Sequence, residues 1–349
     1  MITSLAAALG FVTTDPVFWL PLVFLCILFI TILAGTLLDG FDIGVGCLSL
    51  VAPEALRPRM MSLLSPWRDA NEFWLFLGVG VFAVAFPLGW GAVMGQLHLP
   101  LMLLALGVMA RSVCFELRLR ASAETQPWWQ LGFAIGSVVT AFSHGVLLAK
   151  VVVNYQVGAG YAWFLWFMGF CAVAAYVLLG AAWLVMREGG ELRMRAVIWA
   201  RRSVRWFAAG AVAISVVLAL ANPGVLLKWS DGAPRWAVLS LWLFILVGFV
   251  FIEMNLQRLL NASVRATIFP FLFIALVFVA VLIGLAFSFF PFLVLDEITV
   301  WDAEASISTL QIVWKISLVT LPFLVLFNVW VYWRMLGLSR APAPPSFKI

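Results

Sequence analysis

The chain has 349 residues, of which 65% are hydrophobic and only 11% are charged, and its mean hydropathy is +1.10. This composition excludes a soluble globular protein of the same length and predicts an integral membrane protein. The formal net charge of +5 is spread over several separate segments and forms no single basic patch, so we expect no nucleic-acid partner.

The fold is predicted from the apolar segments, because a helix needs about 20 apolar residues to cross a hydrocarbon core about 30 Å thick. The segments are continuously apolar and do not alternate, which excludes a closed β-barrel. We predict an all-α polytopic membrane protein with one transmembrane domain over 1–349 and about nine helices, arranged as two four-helix bundles plus a peripheral helix. The helices are predicted near 17–38 (a continuation to 51 is left open), 72–95, 98–117, 128–150, 161–186, 203–221, 236–257, 265–291 and 313–333, with a cytoplasmic tail at 338–349.

The orientation is predicted from the Lys and Arg residues, which are retained on the cytoplasmic side. With the N-terminus outside and the C-terminus inside, 17 of the 21 basic residues fall in inner segments. The outer side keeps Lys150, Lys228, Arg235 and Lys315 together with the acidic loop around residues 296–304. The charge asymmetry therefore favours an N-out, C-in chain.

The first polar motif, "LLDGFDIGVG" at 37–46, carries two carboxylates near the inner end of the first helix. Asp39 and Asp42 are spaced i, i+3 and share one helix face. They could simply mark a helix end, but the chain stays apolar to Val51, and Gly40 and Gly44 form a GxxxG motif that allows close helix packing. We therefore predict a shielded acidic pair, one member of which holds a proton and takes part in a proton route.

A second polar cluster, "SPWRDANEFW" at 65–74, lies on the same predicted side. Asp69 and Glu72 at a helix N-terminus would be favoured by the helix dipole whether or not they do chemistry. Carboxylates interleaved with an amide are also what a proton route from the cytoplasm requires. We therefore add Asp69, Asn71 and Glu72 to the predicted proton route.

Two further polar residues lie in or near predicted spans, and each has two interpretations. Arg111 could pair with an aspartate of the first helix, or its side chain could snorkel to the interface. Glu253, with Asn255, could form a second polar path or an ordinary solvated boundary.

Metal and cofactor ligands are sparse in this sequence. The two histidines, His98 and His144, fall near the outer interface, which permits a bis-His haem but does not favour one. The four cysteines are scattered without a CxxC pair, so we expect neither a metal site nor thiol chemistry.

Three motifs, in order along the whole chain, resemble subunit II of the cytochrome bd quinol oxidases. "DGFDIGVG" resembles that family's signature, and "WRDANEFWL" is similar to its second block, with an Asp, an Asn and a Trp at the spacing of Asp69, Asn71 and Trp74. "FPF" at 290–292, "VWDAEAS" at 300–306 and the terminal "WVYWRM" complete the likeness. One departure is Trp67-Arg68, where the resemblance leads us to expect a His-Trp pair. With this departure, the resemblance implies a divergent or cyanide-insensitive branch.

The resemblance implies a haem-free subunit of a terminal oxidase that reduces O2 to water with quinol electrons and cytoplasmic protons, generating proton motive force. Subunit I would hold haems b and d, small single-helix subunits could accompany it, and this chain alone would not be catalytic or bind a haem. The resemblance leaves room for a structural quinone or lipid. It carries over Asp69 and Asp39 or Asp42 as members of a proton route, Trp74 as part of an oxygen route, and the bacterial cytoplasmic (inner) membrane as the location.

The alternative function is a polytopic secondary transporter that uses buried carboxylates. Transporters usually have broken helices at the bilayer midplane, with matched Gly or Pro interruptions in two halves. Here the polar residues cluster at the inner edge, and Pro87 and Pro270 stand in unmatched contexts. The pattern therefore favours the oxidase subunit.

Overall fold

The computed structural model describes residues 7, 10–64, 68–156, 158–261 and 268–338. The predicted cytoplasmic tail lies outside the described residues from 339 onward. Inner and outer sides are named by the predicted orientation, which stays a prediction.

The first apolar segment forms one continuous helix over Pro16–Val51, 36 residues long. It consists of α1 (Pro16–Ala34), a π-helical turn (Gly35–Asp39) and α2 (Gly40–Val51). The Asp15 side chain caps its start by accepting a hydrogen bond from the Val17 amide at 3.0 Å. The helix therefore extends to Val51, which is the longer of the two ends that the sequence left open.

The remaining elements are joined by short connections. They are a 3₁₀ turn (Glu54–Leu56), α3 (Arg57–Leu63), α4 (Arg68–Ala85), α5 (Pro87–Arg120), α6 (Gln126–Val152), α7 (Ala159–Arg187), α8 (Gly190–Ala221), α9 (Pro223–Ser230), α10 (Gly232–Asn261), α11 (Phe269–Phe289), the antiparallel strands β1 (Phe292–Val294) and β2 (Ile298–Thr299), and α12 (Ile307–Leu338).

The boundary predicted between the second and third helices is wrong. The sequence places it between 95 and 98, whereas the chain leaves the helix at Phe86, with φ −131° and ψ 62°, and re-enters it at Pro87. Proline lacks the amide hydrogen that a helix interior requires, but it suits the first helical position. Residues 87–95 therefore belong to α5.

Among the described residues, eight helices are long and apolar enough to cross a membrane. The ninth predicted span is α4, which has 18 residues and carries Arg68, Asp69 and Glu72 in its first two turns. At 1.5 Å per residue, its length of about 27 Å is close to the thickness of a hydrocarbon core.

The long helices pack as two four-helix rings joined side by side. The first ring contains α1/α2, α4, α5 and α6, and the second contains α7, α8, α10 and α11. Helix α7 packs against α2 and α6 and so joins the rings, while α12 lies against α1 at the periphery. This arrangement has the two bundles and the peripheral helix that the sequence predicts.

Glycines set the closest approach between the two rings. A Cβ atom on Gly44 would overlap the backbone of Tyr176 and lie 2.8 Å from the amide nitrogen of Gly180, both on α7. A Cβ on Gly40 would lie 2.9 Å from the Tyr176 ring. The predicted GxxxG contact is thus made with a helix of the same chain, so these glycines serve its own folding.

The outer loop between α11 and α12 is held against the first ring. The Trp301 indole donates a hydrogen bond to the Phe18 carbonyl at 3.1 Å and stacks on the Phe18 ring. The Ala305 amide bonds the Ala85 carbonyl at 2.9 Å, at the outer end of α4. The loop therefore covers the outer ends of α1 and α4.

Candidate functional site

The centre of the buried polar cluster is an ion pair between Asp39 and Arg111. The two guanidinium nitrogens Nη1 and Nη2 donate to Oδ2 and Oδ1 at 2.7 and 2.6 Å, a fork-to-fork pair between the first helix and α5. Both side chains are almost fully buried. The predicted pairing is therefore present, and snorkelling of Arg111 is wrong.

The π-helical turn places Asp39 for this contact. It is the last residue of Gly35–Asp39, a segment that widens the turn and rotates α2 relative to α1. A Cβ on Gly35 would lie 3.4 Å from the Leu75 backbone, so α4 packs closely beside the turn. Such insertions occur frequently at functional sites.

Glu72 lies between two arginines. Its Oε1 accepts from Arg68 Nη1 at 2.6 Å and lies 3.3 Å from Arg111 Nη2. The Ser112 hydroxyl is 3.0 and 2.8 Å from its two oxygens. Glu72 thus connects the Asp39–Arg111 pair to α4, and both of its oxygens have partners.

Arg68 carries the cluster to the inner surface. Its Nη2 donates to Asp69 Oδ1 at 2.9 Å, and its guanidinium lies 4.6 Å from the centre of the Phe115 ring. The Arg68 side chain is 3% exposed, whereas that of Asp69 is 77% exposed. Asp69 is therefore the exposed end, or mouth, of a cluster whose other described charged side chains are buried.

Asp42 has a different environment from Asp39, one turn away. Its Oδ2 accepts from the Asn71 amide at 2.8 Å, and the Asn71 oxygen accepts from the Tyr332 hydroxyl at 2.7 Å. Its Oδ1 is buried and has no hydrogen-bond partner in the described part of the chain. Asp42 is thus the buried carboxylate of the cluster that no described arginine contacts.

Trp74 lies one turn beyond Asn71 on α4 and is buried, with its indole nitrogen unpaired among the described residues. It lines an apolar cavity of about 430 Å³ at the lipid-facing junction of α1, α4 and α12. The other lining residues are Ile27, Ile30, Thr31, Leu321, Pro322, Val325 and Leu326.

This geometry can be compared with known proteins. The family model "Cytochrome bd terminal oxidase subunit II" matches residues 20–335, nearly the whole chain. The chain belongs to this family. It is therefore subunit II of a cytochrome bd terminal oxidase, one part of an oxidoreductase complex.

The relatives agree with this assignment. "Cytochrome bd-I ubiquinol oxidase subunit 2" of Escherichia coli K12 is 26% identical over 86% of this chain and 89% of its own length. "Probable cytochrome oxidase subunit 2" of Haemophilus influenzae is 26% identical over 89% of this chain and 93% of its own. The structure of bd oxidase from Geobacillus thermodenitrificans has the same fold, with a TM-score of 0.74, 15% identity and coverage of 91% of this chain and 98% of that one.

Family membership decides between the two functions that the sequence left open. A bd oxidase subunit II is not a secondary transporter, so the carboxylates belong to an oxidase.

Geometry decides between the two interpretations of Glu253. Its Oε1 accepts hydrogen bonds from Arg201 Nη2 and Nε at 2.6 and 3.0 Å, and the Glu253 side chain is 36% exposed. It is a solvated boundary contact.

The two histidines of this bd oxidase subunit have different neighbours. His144 on α6 lies 3.0 Å from the Tyr176 hydroxyl of α7. His98 on α5 is exposed, and its Nδ1 lies 2.9 Å from the Gly95 carbonyl of its own helix. The two rings thus have different hydrogen-bond neighbours among the described residues. Within the described ranges, no three His, Cys, Asp or Glu side chains are grouped as metal ligands.

Three members of the cluster are missing from the residues predicted from sequence. In the sequence, Arg68 stands out only as a departure from the family pattern, Ser112 as the neighbour of Arg111, and Tyr332 as one aromatic residue of "WVYWRM". The departure at Arg68 is the strongest available signal, because a buried arginine requires acidic partners.

Proposed function

We propose that this chain is the haem-free subunit of a bacterial quinol oxidase that works with a haem-bearing subunit I in the cytoplasmic membrane. The Escherichia coli relative is named a ubiquinol oxidase subunit, which supports quinol as the electron donor of this complex. Haems b and d, held by subunit I, would supply the electron transfer and O2 reduction. Small single-helix subunits and a bound lipid or quinone complete the expected complex.

The chain's own contribution is a proton route from the cytoplasm that ends at Asp42. The carrying observation is that Asp42 is buried, has a free Oδ1 and contacts no described arginine. A carboxylate that exchanges protons needs a neutral form that its surroundings tolerate, and a neighbouring cation would oppose that form. The same reasoning assigns Asp39 to structure, because Arg111 holds both of its oxygens.

The other residues divide between entry and positioning. Asp69 is exposed at the mouth, where it can exchange protons with water. Glu72 and Ser112 lie between the mouth and the Asp39 pair. Asn71 donates to Asp42 Oδ2 and is itself fixed by Tyr332, so it leaves Oδ1 as the oxygen that exchanges the proton.

An oxygen route past Trp74 is proposed on separate grounds. The cavity beside it is lined mostly by aliphatic side chains, with Thr31 as the one hydroxyl residue, and faces lipid, where an apolar gas is more soluble than in water. Asn71 and Trp74 lie one turn apart on α4. Oxygen would then pass through the apolar cavity beside Trp74, and protons through the polar cluster around Asn71.

The test is Asp42→Asn in the intact complex, measured as quinol-dependent oxygen consumption with haem content as the assembly control. Since an amide cannot carry the proton, turnover should fall by about tenfold or more at unchanged haem content, and Asp42→Glu should restore much of it. Ser49→Ala on the same helix face removes a buried hydroxyl outside the route and should leave turnover unchanged. Normal turnover in Asp42→Asn at normal haem content would remove Asp42 from the route.

A further inference from the structure

A basic hollow lies at the inner end of the second ring, away from the acidic cluster. It has a volume of about 250 Å³ and is lined by Ile198, Arg201, Arg202, Arg205 and Leu260, between α8 and the end of α10. Three of these five residues are arginines within five positions of α8. The hollow is therefore a concentrated positive site at the predicted cytoplasmic interface.

Among the described residues, most of this charge has no carboxylate partner. Arg201 pairs with Glu253 at 2.6 Å, which ties α8 to α10. Arg202, Arg205 and the nearby Arg258 are exposed, and no carboxylate in the described part of the chain lies within ion-pair distance of them. An anion can therefore bind here without displacing an internal contact.

An apolar groove continues from the hollow along the membrane-facing side. Its volume is about 700 Å³, and Arg205 lines both spaces. Its apolar walls are formed by Val204, Ala208, Leu246, Phe249, Val250 and Met254, and Glu253, Gln257 and Arg258 stand at its polar end.

We propose that this composite site binds an anionic phospholipid of the cytoplasmic leaflet. The phosphate would lie on Arg202 and Arg205, and an acyl chain would fill the groove beyond Ala208. Basic pockets between transmembrane helices on the cytoplasmic side have the charge and position to hold such head groups. The joining of a cationic hollow and an apolar groove at Arg205 fits an amphipathic ligand and does not fit a free anion.

The charge of the head group sets a preference within this class. Phosphatidylglycerol carries a net negative charge on its phosphate, whereas phosphatidylcholine is zwitterionic and carries no net charge. Two exposed arginines without a described carboxylate therefore favour phosphatidylglycerol.

The experiment is a titration of the detergent-purified complex, with its subunit I, by phosphatidylglycerol and by phosphatidylcholine, read by native mass spectrometry. We expect tighter binding of phosphatidylglycerol. Since each basic residue near the surface contributes about 1 kcal/mol, Arg205→Gln should weaken it about fivefold and Arg202→Gln/Arg205→Gln about 30-fold. Excess inorganic phosphate should not displace the lipid, because the groove contributes to its affinity.

Three variants separate this site from general attraction to basic residues. Arg120→Gln removes an exposed inner arginine of α5 outside the hollow and should leave the affinity unchanged. Ala208→Phe keeps every charge but fills the groove, and should weaken binding as much as Arg205→Gln. Arg205→Lys keeps the charge and should retain most binding, which excludes misfolding as the cause. Equal losses in Arg120→Gln, or full binding by Ala208→Phe, would overturn the proposal.

Discussion

The two four-helix rings are built alike but bury different side chains. In the part of the chain that the structure describes, every buried charged residue lies in the first ring: Asp39, Asp42, Arg68, Glu72, Arg111 and Arg118. The core of the second ring is formed by residues such as Leu178, Ala182, Val197 and Ile252. Packing of apolar helices therefore suffices to build a ring of this kind, and the charges of the first ring need another explanation.

The cost of those charges supports a functional explanation. Removing a charged group from water costs several kcal/mol, and its ionic partner seldom returns more than that. The cluster limits the cost by pairing Arg111 with Asp39 and Arg68 with Glu72. Asp42 forms no ion pair with a described arginine. The second ring shows that apolar residues suffice at buried positions of this kind.

The largest expected effect comes from removing the central cation. Arg111→Leu leaves Asp39 buried without its partner and Glu72 with Arg68 alone, which should destabilise the chain by about 3–5 kcal/mol. We expect little assembled complex, measured as haem content of membranes and as the unfolding temperature of whatever is recovered.

The second ring provides the matched control. Arg201→Leu also breaks an ion pair between two helices. The side chains of Arg201 and Glu253 are 27% and 36% exposed, so the loss of folding stability should be about 0–1 kcal/mol. Equal destabilisation by the two changes would mean that burial does not distinguish the rings.

A smaller but still structural effect is expected where the rings meet. Gly44→Leu places a side chain into the backbone of α7 and should cost about 1–3 kcal/mol or more, so the chain itself should fold poorly before subunit association is affected. Gly80→Leu on α4 is the control, because no atom lies within 4 Å of a Cβ there, and it should change stability by about 0.5 kcal/mol or less. Normal yield and thermal stability of Gly44→Leu would show that the close contact between α2 and α7 is not needed for folding stability.

Within the first ring, the mouth should matter less than the buried end. Asp69 is 77% exposed, so water can replace it as a proton donor, and Asp69→Asn should slow oxygen consumption by no more than about fivefold. The comparison is with Asp42→Asn in the same membranes at equal haem content. A larger loss at Asp69 than at Asp42 would reverse the proposed order of the route.

Local patterns predict much of this arrangement, and long-range contacts account for most of the rest. The i, i+3 spacing places Asp39 and Asp42 on one face, and topology brings Arg111 to the same side. Tyr332 and Asn71 are 261 residues apart in the sequence, so no local sequence pattern predicts their contact. The break at Pro87 is readable from the residue itself, but the apolar run across it hides the boundary. The π turn before α2 depends on packing against α4, which a single helix pattern does not show.

The smallest expected effect lies at the outer end, where the loop covers the first ring. Partial burial, with Asp15 nearby, raises the pKa of Glu304 to about 7, and its Oε2 has no partner among the described residues. Because the folded chain then holds this proton more tightly than the unfolded chain, stability should fall as pH rises from about 4.5, the usual glutamate range, to about 7. Solvent screening at this partly exposed site keeps the change below about 1 kcal/mol. Glu304→Gln should flatten that part of the profile of unfolding temperature against pH, whereas Glu297→Gln, at an exposed position of the same loop, should not. An unchanged slope in Glu304→Gln would mean that the outer loop does not respond to pH through this carboxyl group.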